Sequence, residues 1–172
     1  MSHHDGFAPI APAQAKILIL GTMPGAMSLQ KQEYYAHPRN TFWPIMTELF
    51  SNTEVTSSYQ ARQELLMSNQ VALWDVLASC YRPGSLDTNI QKDSIKTNNF
   101  MDFFTLHQTI DSVFFNGGMA EKLYQRYVLP VIKPHFSNFN YHRLPSTSPA
   151  NAGLTFAQKC SAWRVIKESV VK

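Results

Sequence analysis

Four short apolar runs punctuate the chain, and each is closed by a residue with turn or polar chemistry. Lys16–Leu20 stops at Gly21, Val71–Trp74 at Asp75, Ser112–Phe115 at Asn116-Gly117-Gly118, and Asn140–Leu144 at Pro145-Ser146. The first three are unbroken rather than alternating, which is the pattern of strands covered on both faces; the fourth alternates and predicts an edge strand. Between the runs, apolar residues recur at the three-and-four spacing of a helix. This holds over Thr41–Phe50 (Phe42, Ile45, Met46, Leu49), more weakly over Tyr59–Ser68, and over Met119–Val128. It is clearest over Thr155–Val170, with Phe156, Cys160, Trp163, Ile166 and Val170. Strand and helix alternating four times predict an α/β fold of three layers, α/β/α, around a central four-stranded parallel sheet. No repeat or linker interrupts the 172 residues, so they read as a single domain, 1–172, with 1–15 as a flexible N-terminal segment and Pro83–Asn99 as a long loop.

Composition narrows the class without choosing a function. Apolar residues make up 44% and charged residues 16%, which excludes extended disorder. Fifteen Lys+Arg against twelve Asp+Glu leave a net charge of +3, which permits an acidic partner such as nucleic acid without demanding one. Cys80 and Cys160 stand far apart with no CxxC and no paired His nearby, so neither a disulfide framework nor a structural metal site is expected. The first residues carry no basic-then-apolar leader, and no apolar run is long enough to cross a bilayer. A monomer in the cytoplasm, away from membranes, is the expectation.

Parallel sheets bind ligands at the carboxyl ends of their strands, and the unusual residues gather there. After the first run comes Gly21-Thr22-Met23-Pro24-Gly25, then Tyr34-Tyr35-Ala36-His37-Pro38-Arg39-Asn40-Thr41-Phe42-Trp43. The glycines allow a sharp turn and a close ligand approach, and Pro24 stiffens it. An Asn, a His and two Tyr beside such a turn supply a stacking plane and neutral polar groups, enough to hold a flat heterocycle and orient a water. Each also has an ordinary structural use. Asn40 stands where a helix N-cap belongs, Asp75 and Asn116 suit strand-end turns, and the Ser-Thr-Pro-Asn stretch at 145–153 suits a surface loop.

The block from Gly21 to Trp43 resembles the uracil-DNA glycosylase superfamily. Its GxxPG turn and AHPxNxFW segment are similar to the mismatch-specific branch, and its Tyr-Tyr pair and turn Met to the hypoxanthine-DNA glycosylases. Leu73-Trp74-Asp75-Val76, Cys80-Tyr81-Arg82-Pro83-Gly84 and Leu144-Pro145-Ser146-Thr147-Ser148-Pro149-Ala150 follow in that superfamily's order, so the resemblance spans about 16–165. It implies that Asn40 is catalytic, placing the attacking water or stabilising the transition state. Tyr35 would stack on an everted base, Thr22 and Met23 would contact it through their backbone, and Asp75 and Asn116 would read its edge. Ser146 and Ser148 would meet the DNA backbone.

The implied activity is that of a monofunctional DNA glycosylase acting in base-excision repair. Water would cleave the N-glycosidic bond of a deaminated base, hypoxanthine first, with uracil and xanthine as alternatives. The implied partner is DNA carrying that base, and the reaction needs no metal or organic cofactor. Met23 departs from the pattern, because several branches carry Asp or Asn there and a thioether is no base. Cleavage would then rest on Asn40 and on electrostatic stabilisation of an oxocarbenium-like state. That departure keeps two other readings open: a damage-binding module without catalysis, and an N-glycosidase of free nucleosides or nucleotides. No Lys in the matching blocks occupies a position assignable to a Schiff base, although Lys31 sits in the first loop. The loop tip Pro149-Ala150-Asn151-Ala152 is too small to name a wedge.

Overall fold

The fold is described from a computed structural model covering residues 3–51 and 58–171. The central sheet is formed by β2 (Ile17–Gly21), β3 (Val71–Asp75), β6 (Ser112–Asn116) and β7 (Asn140–Leu144), all parallel, in the order β3-β2-β6-β7. The unbroken apolar runs explain its layers. Because successive side chains leave a strand on opposite faces, Leu18, Leu20, Ala72, Trp74, Val113 and Phe115 enter one core, while Ile17, Ile19, Val71, Leu73 and Phe114 enter the other. The first core is closed by α4 (Phe100–Leu106), α5 (Gly118–Leu123) and α6 (Leu129–Ile132). The short α1 (Ala26–Lys31) follows the turn after β2, and the second core is closed by α2 (Phe42–Phe50), α3 (Tyr59–Ser68), α7 (Phe156–Trp163) and α8 (Val165–Val170). This is the three-layer α/β/α arrangement, with β7 at an edge as its alternation requires. Among the described residues no helix is long and apolar enough to cross a membrane.

Three features differ from the sequence reading. Beyond Asp75 the chain continues as β4 (Leu77–Tyr81), which pairs antiparallel with β1 (His3–Asp5) and β5 (Lys96–Thr97) in a second, small sheet. Val76 and Leu77 donate their N–H groups to the Gly21 and Thr22 carbonyls, so the strand bends across the end of β2. The stretch 83–99, read as one loop, holds two 3₁₀ turns, and Asn99 caps α4 by accepting from the Asp102 N–H. The final helix breaks at Arg164 into α7 and α8.

The opening segment, expected to be flexible, is tied down along most of its length. Gly6 N–H donates to the Ala78 carbonyl, Trp74 Nε1 donates to the Phe7 carbonyl (3.1 Å), and the Tyr34 hydroxyl donates to the Ala8 carbonyl (2.7 Å). Ile10 bridges to Leu73 and is buried. The cause is complementary need: Trp74 and Tyr34 are buried polar-tipped aromatics, and the segment supplies their acceptors. Deleting residues 1–9 orphans both donors and removes a paired strand. It is expected to lower unfolding free energy by about 2–5 kcal/mol in a urea titration; a loss below about 0.5 kcal/mol would show the segment to be dispensable.

Candidate active site

From its carboxyl end β2 leads to its neighbour β3 on one side, while the adjacent β6 leads to β7 on the other, which makes the gap beyond the carboxyl ends of β2 and β6 a topological switch point, the usual place for a ligand crevice. A cleft of about 1070 Å³ opens there. Thr22, Met23, Tyr35, Asn40, Asp75, Asn116, Ser146 and Ser148 all line it, although they come from five separate stretches of chain.

The floor is set by Gly21, Tyr35 and Asp75. A Cβ on Gly21 would stand 2.5 Å from Asp75 Oδ1 and 2.7 Å from the Tyr35 hydroxyl, so only glycine lets both oxygens converge there. Tyr35 has φ +53, the left-handed region that a bulky residue occupies at a cost of about 1–2 kcal/mol. Its ring lies 4.3 Å from Phe42, and the Ala36 N–H after it donates to Ser28 Oγ, so packing holds the strained turn. One ring face is thus covered, and the hydroxyl is aimed at the floor. Among the described residues that hydroxyl has no hydrogen-bond partner; the Asn116 carboxamide lies beside it but short of bonding geometry. Burial, and then the Asp75 carboxyl, push the hydroxyl above its ordinary range, so it remains a proton donor.

Asp75 is 3% exposed and its Oδ2 is also unpartnered. Burial first, then the nearby Asp87 carboxylate, push its carboxyl up to about 7, against the pull of the Arg82 guanidinium. Two buried polar oxygens without partners at the base of an open cleft are rare in folded proteins and mark a place for a polar ligand edge.

Arg82 and Asp87 were not singled out as site residues from sequence. Arg82 is fully buried; its guanidinium donates to the Pro24 carbonyl and pairs with Asp87 at 3.2 Å, clamping the Gly21–Gly25 turn onto the end of β4. His4 Nε2 donates to the Arg82 carbonyl. The Arg82-Pro83-Gly84 sequence was visible, but nothing local distinguishes a buried arginine from one facing DNA.

The walls are more internally engaged than expected. Asn40 stands one residue before the N-cap of α2, which is Thr41 and not Asn40 as the sequence suggests, and its Oδ1 accepts from the Phe42 N–H (3.0 Å); this fixes the carboxamide, whose NH₂ group makes no bond among the described residues. Asn116 is bound at both ends by Thr147: its Nδ2 donates to Thr147 Oγ1 and its Oδ1 accepts from the Thr147 N–H, each 2.9 Å. It therefore pins the 145–151 loop to β6, leaving one amide hydrogen rather than a whole carboxamide for a ligand. The Thr147 carbonyl in turn accepts from Thr41 N–H, and the Pro145 carbonyl from Trp163 Nε1. Gly117, at φ +94, lets Ser146 approach to 3.1 Å of its absent Cβ. Ser146 Oγ accepts from Ser148 N–H and Ser148 Oγ from Ala150 N–H. Those N–H groups are thus occupied, and the hydroxyl protons are what the two serines can offer.

Met23 is buried in the first core, so it meets the cleft at the turn while its side chain anchors the floor. Of the scattered basic residues, Arg39 and Arg143 line the cleft, Arg126 lies over Tyr127, and no lysine lines the cleft among the described residues.

Residues 8–167 match the Uracil DNA glycosylase superfamily. A Methanosarcina barkeri protein named hypoxanthine DNA glycosylase is 37% identical over 66% of this chain and 70% of its own. A Methanosarcina acetivorans protein of the same name is 30% identical over 85% of this chain and 87% of its own. The solution structure of a Methanosarcina acetivorans protein provisionally named a uracil DNA glycosylase superposes with a TM-score of 0.80 at 27% identity, over 99% of both chains.

The Asp75 carboxyl makes a stability prediction with a definite sign. An unfolded aspartate ionises near 3.8 and the folded one near 7, so on raising pH the unfolded state releases its proton first and gains. The cost to folding accumulates between pH about 4 and 7, reaches up to about 4 kcal/mol, and is constant above. Asp75→Asn is expected to raise the melting temperature at pH 8 and to lose that advantage as pH falls toward 4. A gain independent of pH would contradict the assignment.

Proposed function

This chain belongs to the Uracil DNA glycosylase superfamily and is a DNA N-glycosylase; on that premise we propose that its substrate is a deaminated base, hypoxanthine before uracil or xanthine. The supporting observation is the pair of unpartnered oxygens under Gly21. Hypoxanthine presents a ring N–H beside a carbonyl. Ionised Asp75 accepts from the N–H and the Tyr35 hydroxyl donates to the carbonyl. Adenine turns a lone pair toward the carboxylate and an amino group toward the hydroxyl, leaving the carboxylate repelled and the hydroxyl proton without an acceptor, the kind of mismatch that discriminates strongly. Uracil and xanthine share the N–H and carbonyl. The relatives' name, hypoxanthine DNA glycosylase, favours the purine.

In this reading the base is everted from the duplex into the cleft, and Thr22 and Met23 border it through their backbone. Asn40, with its carbonyl held by Phe42, uses its NH₂ group to hold the attacking water oxygen near the sugar carbon. As the glycosidic bond breaks, its electron pair passes to the base and the sugar becomes oxocarbenium-like; the water oxygen then bonds to the sugar carbon, and the proton it sheds passes through solvent to the departed base. The Tyr35 hydroxyl stabilises the departing base as charge develops on its carbonyl. Asn116 acts by holding the loop that carries Ser146 and Ser148, whose hydroxyls donate to phosphate, with Arg39 and Arg143 flanking.

Single-turnover assays on duplexes carrying hypoxanthine, uracil, xanthine or adenine test the reading. Hypoxanthine release is expected to be fastest and adenine release undetectable. Asn40→Ala should slow release at least about 100-fold with the melting temperature little changed. A loss under threefold removes Asn40 from catalysis, and tight binding without release by the wild type indicates a damage-binding module.

A further inference from the structure

Among the described residues two carboxyls line the cleft, Asp75 and Asp87. Asp75 has a part in the function proposed above. Asp87 has none, and a carboxylate on the wall of a cleft that receives a polyanion works against binding. Its side chain is 37% exposed, so the packing of a core does not account for it. Its partners do. Arg82 is fully buried and has N–H groups to satisfy. Nη1 donates to Asp87 at 3.2 Å, Nη2 donates to the Pro24 carbonyl, and Nε has no partner among the described residues. The Thr22 hydroxyl faces the same Asp87 carboxylate.

The charge of Arg82 reaches Asp75 and favours its ionised form, yet Asp75 Oδ2 stays unbonded. A buried guanidinium that loses its carboxylate must find another, and Asp75 is the other carboxyl that feels this cation. Asp75 is faced by Arg82 from just beyond β4, by Asp87 from the 83–89 loop, and by Tyr34 and Tyr35 from the stretch before α2. Burial keeps both tyrosines protonated, and does the same for the Cys80 thiol near Arg82 and Asp87. The charges acting on Asp75 are therefore those of Arg82 and Asp87, and they oppose each other.

We propose that Asp87 is a positioning residue for base selection: by engaging the Arg82 guanidinium it keeps that cation off Asp75, whose free oxygen is left for the ring N–H of the everted base, a role that rests on the glycosylase reading above. The experiment uses wild type, Asp87→Asn and Asp87→Glu. In the unliganded proteins, NMR follows the Asp75 carboxyl and the Arg82 side-chain N–H signals through a pH titration. At pH 8, binding of duplex carrying hypoxanthine is measured against the same duplex carrying adenine. Asp87→Asn is expected to lower the Asp75 midpoint by at least about one pH unit, with the Arg82 N–H signals titrating at that same midpoint. The hypoxanthine-to-adenine affinity ratio is expected to fall at least about tenfold, while Asp87→Glu keeps all three near wild type. Losing a cleft carboxylate tightens both duplexes alike, and solvation of Asp75 by a loosened turn leaves the Arg82 signals unmoved, so neither reproduces this set of changes. An unchanged midpoint, an unchanged ratio, or Arg82 signals that do not follow Asp75 overturns the proposal. Asp87→Ser removes the same charge and takes the place of Asp87→Asn if that variant does not fold. A wild type that neither prefers nor releases hypoxanthine sinks the glycosylase reading instead, and the role in selection with it.

Discussion

A carboxyl group buried under a glycine, with one oxygen unbonded, is expensive to keep in a folded protein. Asp75 is held in that state by its place at the end of a strand whose whole length is buried, by the fully buried Arg82 nearby, and by the absence of a Cβ on Gly21. The surrounding turns follow from this. Arg82 serves both the Pro24 carbonyl and Asp87, so the Gly21–Gly25 turn and the 83–89 loop are fastened to one cation. Tyr35 accepts a left-handed backbone that brings its hydroxyl to the same point. The strain and the unpartnered oxygens sit at one place, which is where binding energy from a complementary ligand edge would be recovered.

Met23 fits this arrangement in a way its chemistry alone did not suggest. It cannot act as a base, but as a buried side chain in the first core it anchors the floor of the cleft. Catalysis without a titrating base at this position is compatible with N-glycosidic cleavage, because the barrier is lowered chiefly by stabilising charge on the departing base and the sugar. In the proposed reading the titrating group, Asp75, meets the far edge of the base, where it bears on selection rather than on water.

Much of this was legible in the chain. Continuous apolar strands announce a two-sided parallel sheet, and the residues at their carboxyl ends were visible as the unusual ones. What local pattern could not reveal were long-range partnerships. Trp74 and Tyr34 take acceptors from the opening segment, so residues with little periodicity of their own became ordered. The Phe100, Phe103 and Phe104 spacing and the Asn99 cap signalled α4, but they lay beside a stretch dominated by turn residues. In the site, Asn116 has the right type and place for reading a base, yet Thr147, 31 residues away, takes up both ends of its carboxamide. Arg82 could not be recognised as buried, since its need is met by a carbonyl 58 residues earlier.

The central claim is that the floor of the cleft holds a carboxyl group poised to change charge near neutrality because the protein has left it dry and unpaired. Following the Asp75 side-chain carboxyl carbon by NMR through a pH titration of the unliganded protein tests it most directly. The account predicts a midpoint near 7, falling when duplex carrying hypoxanthine is bound. A midpoint in the ordinary aspartate range, near 4, would mean that the carboxyl is solvated or paired, and the account of the floor would be wrong.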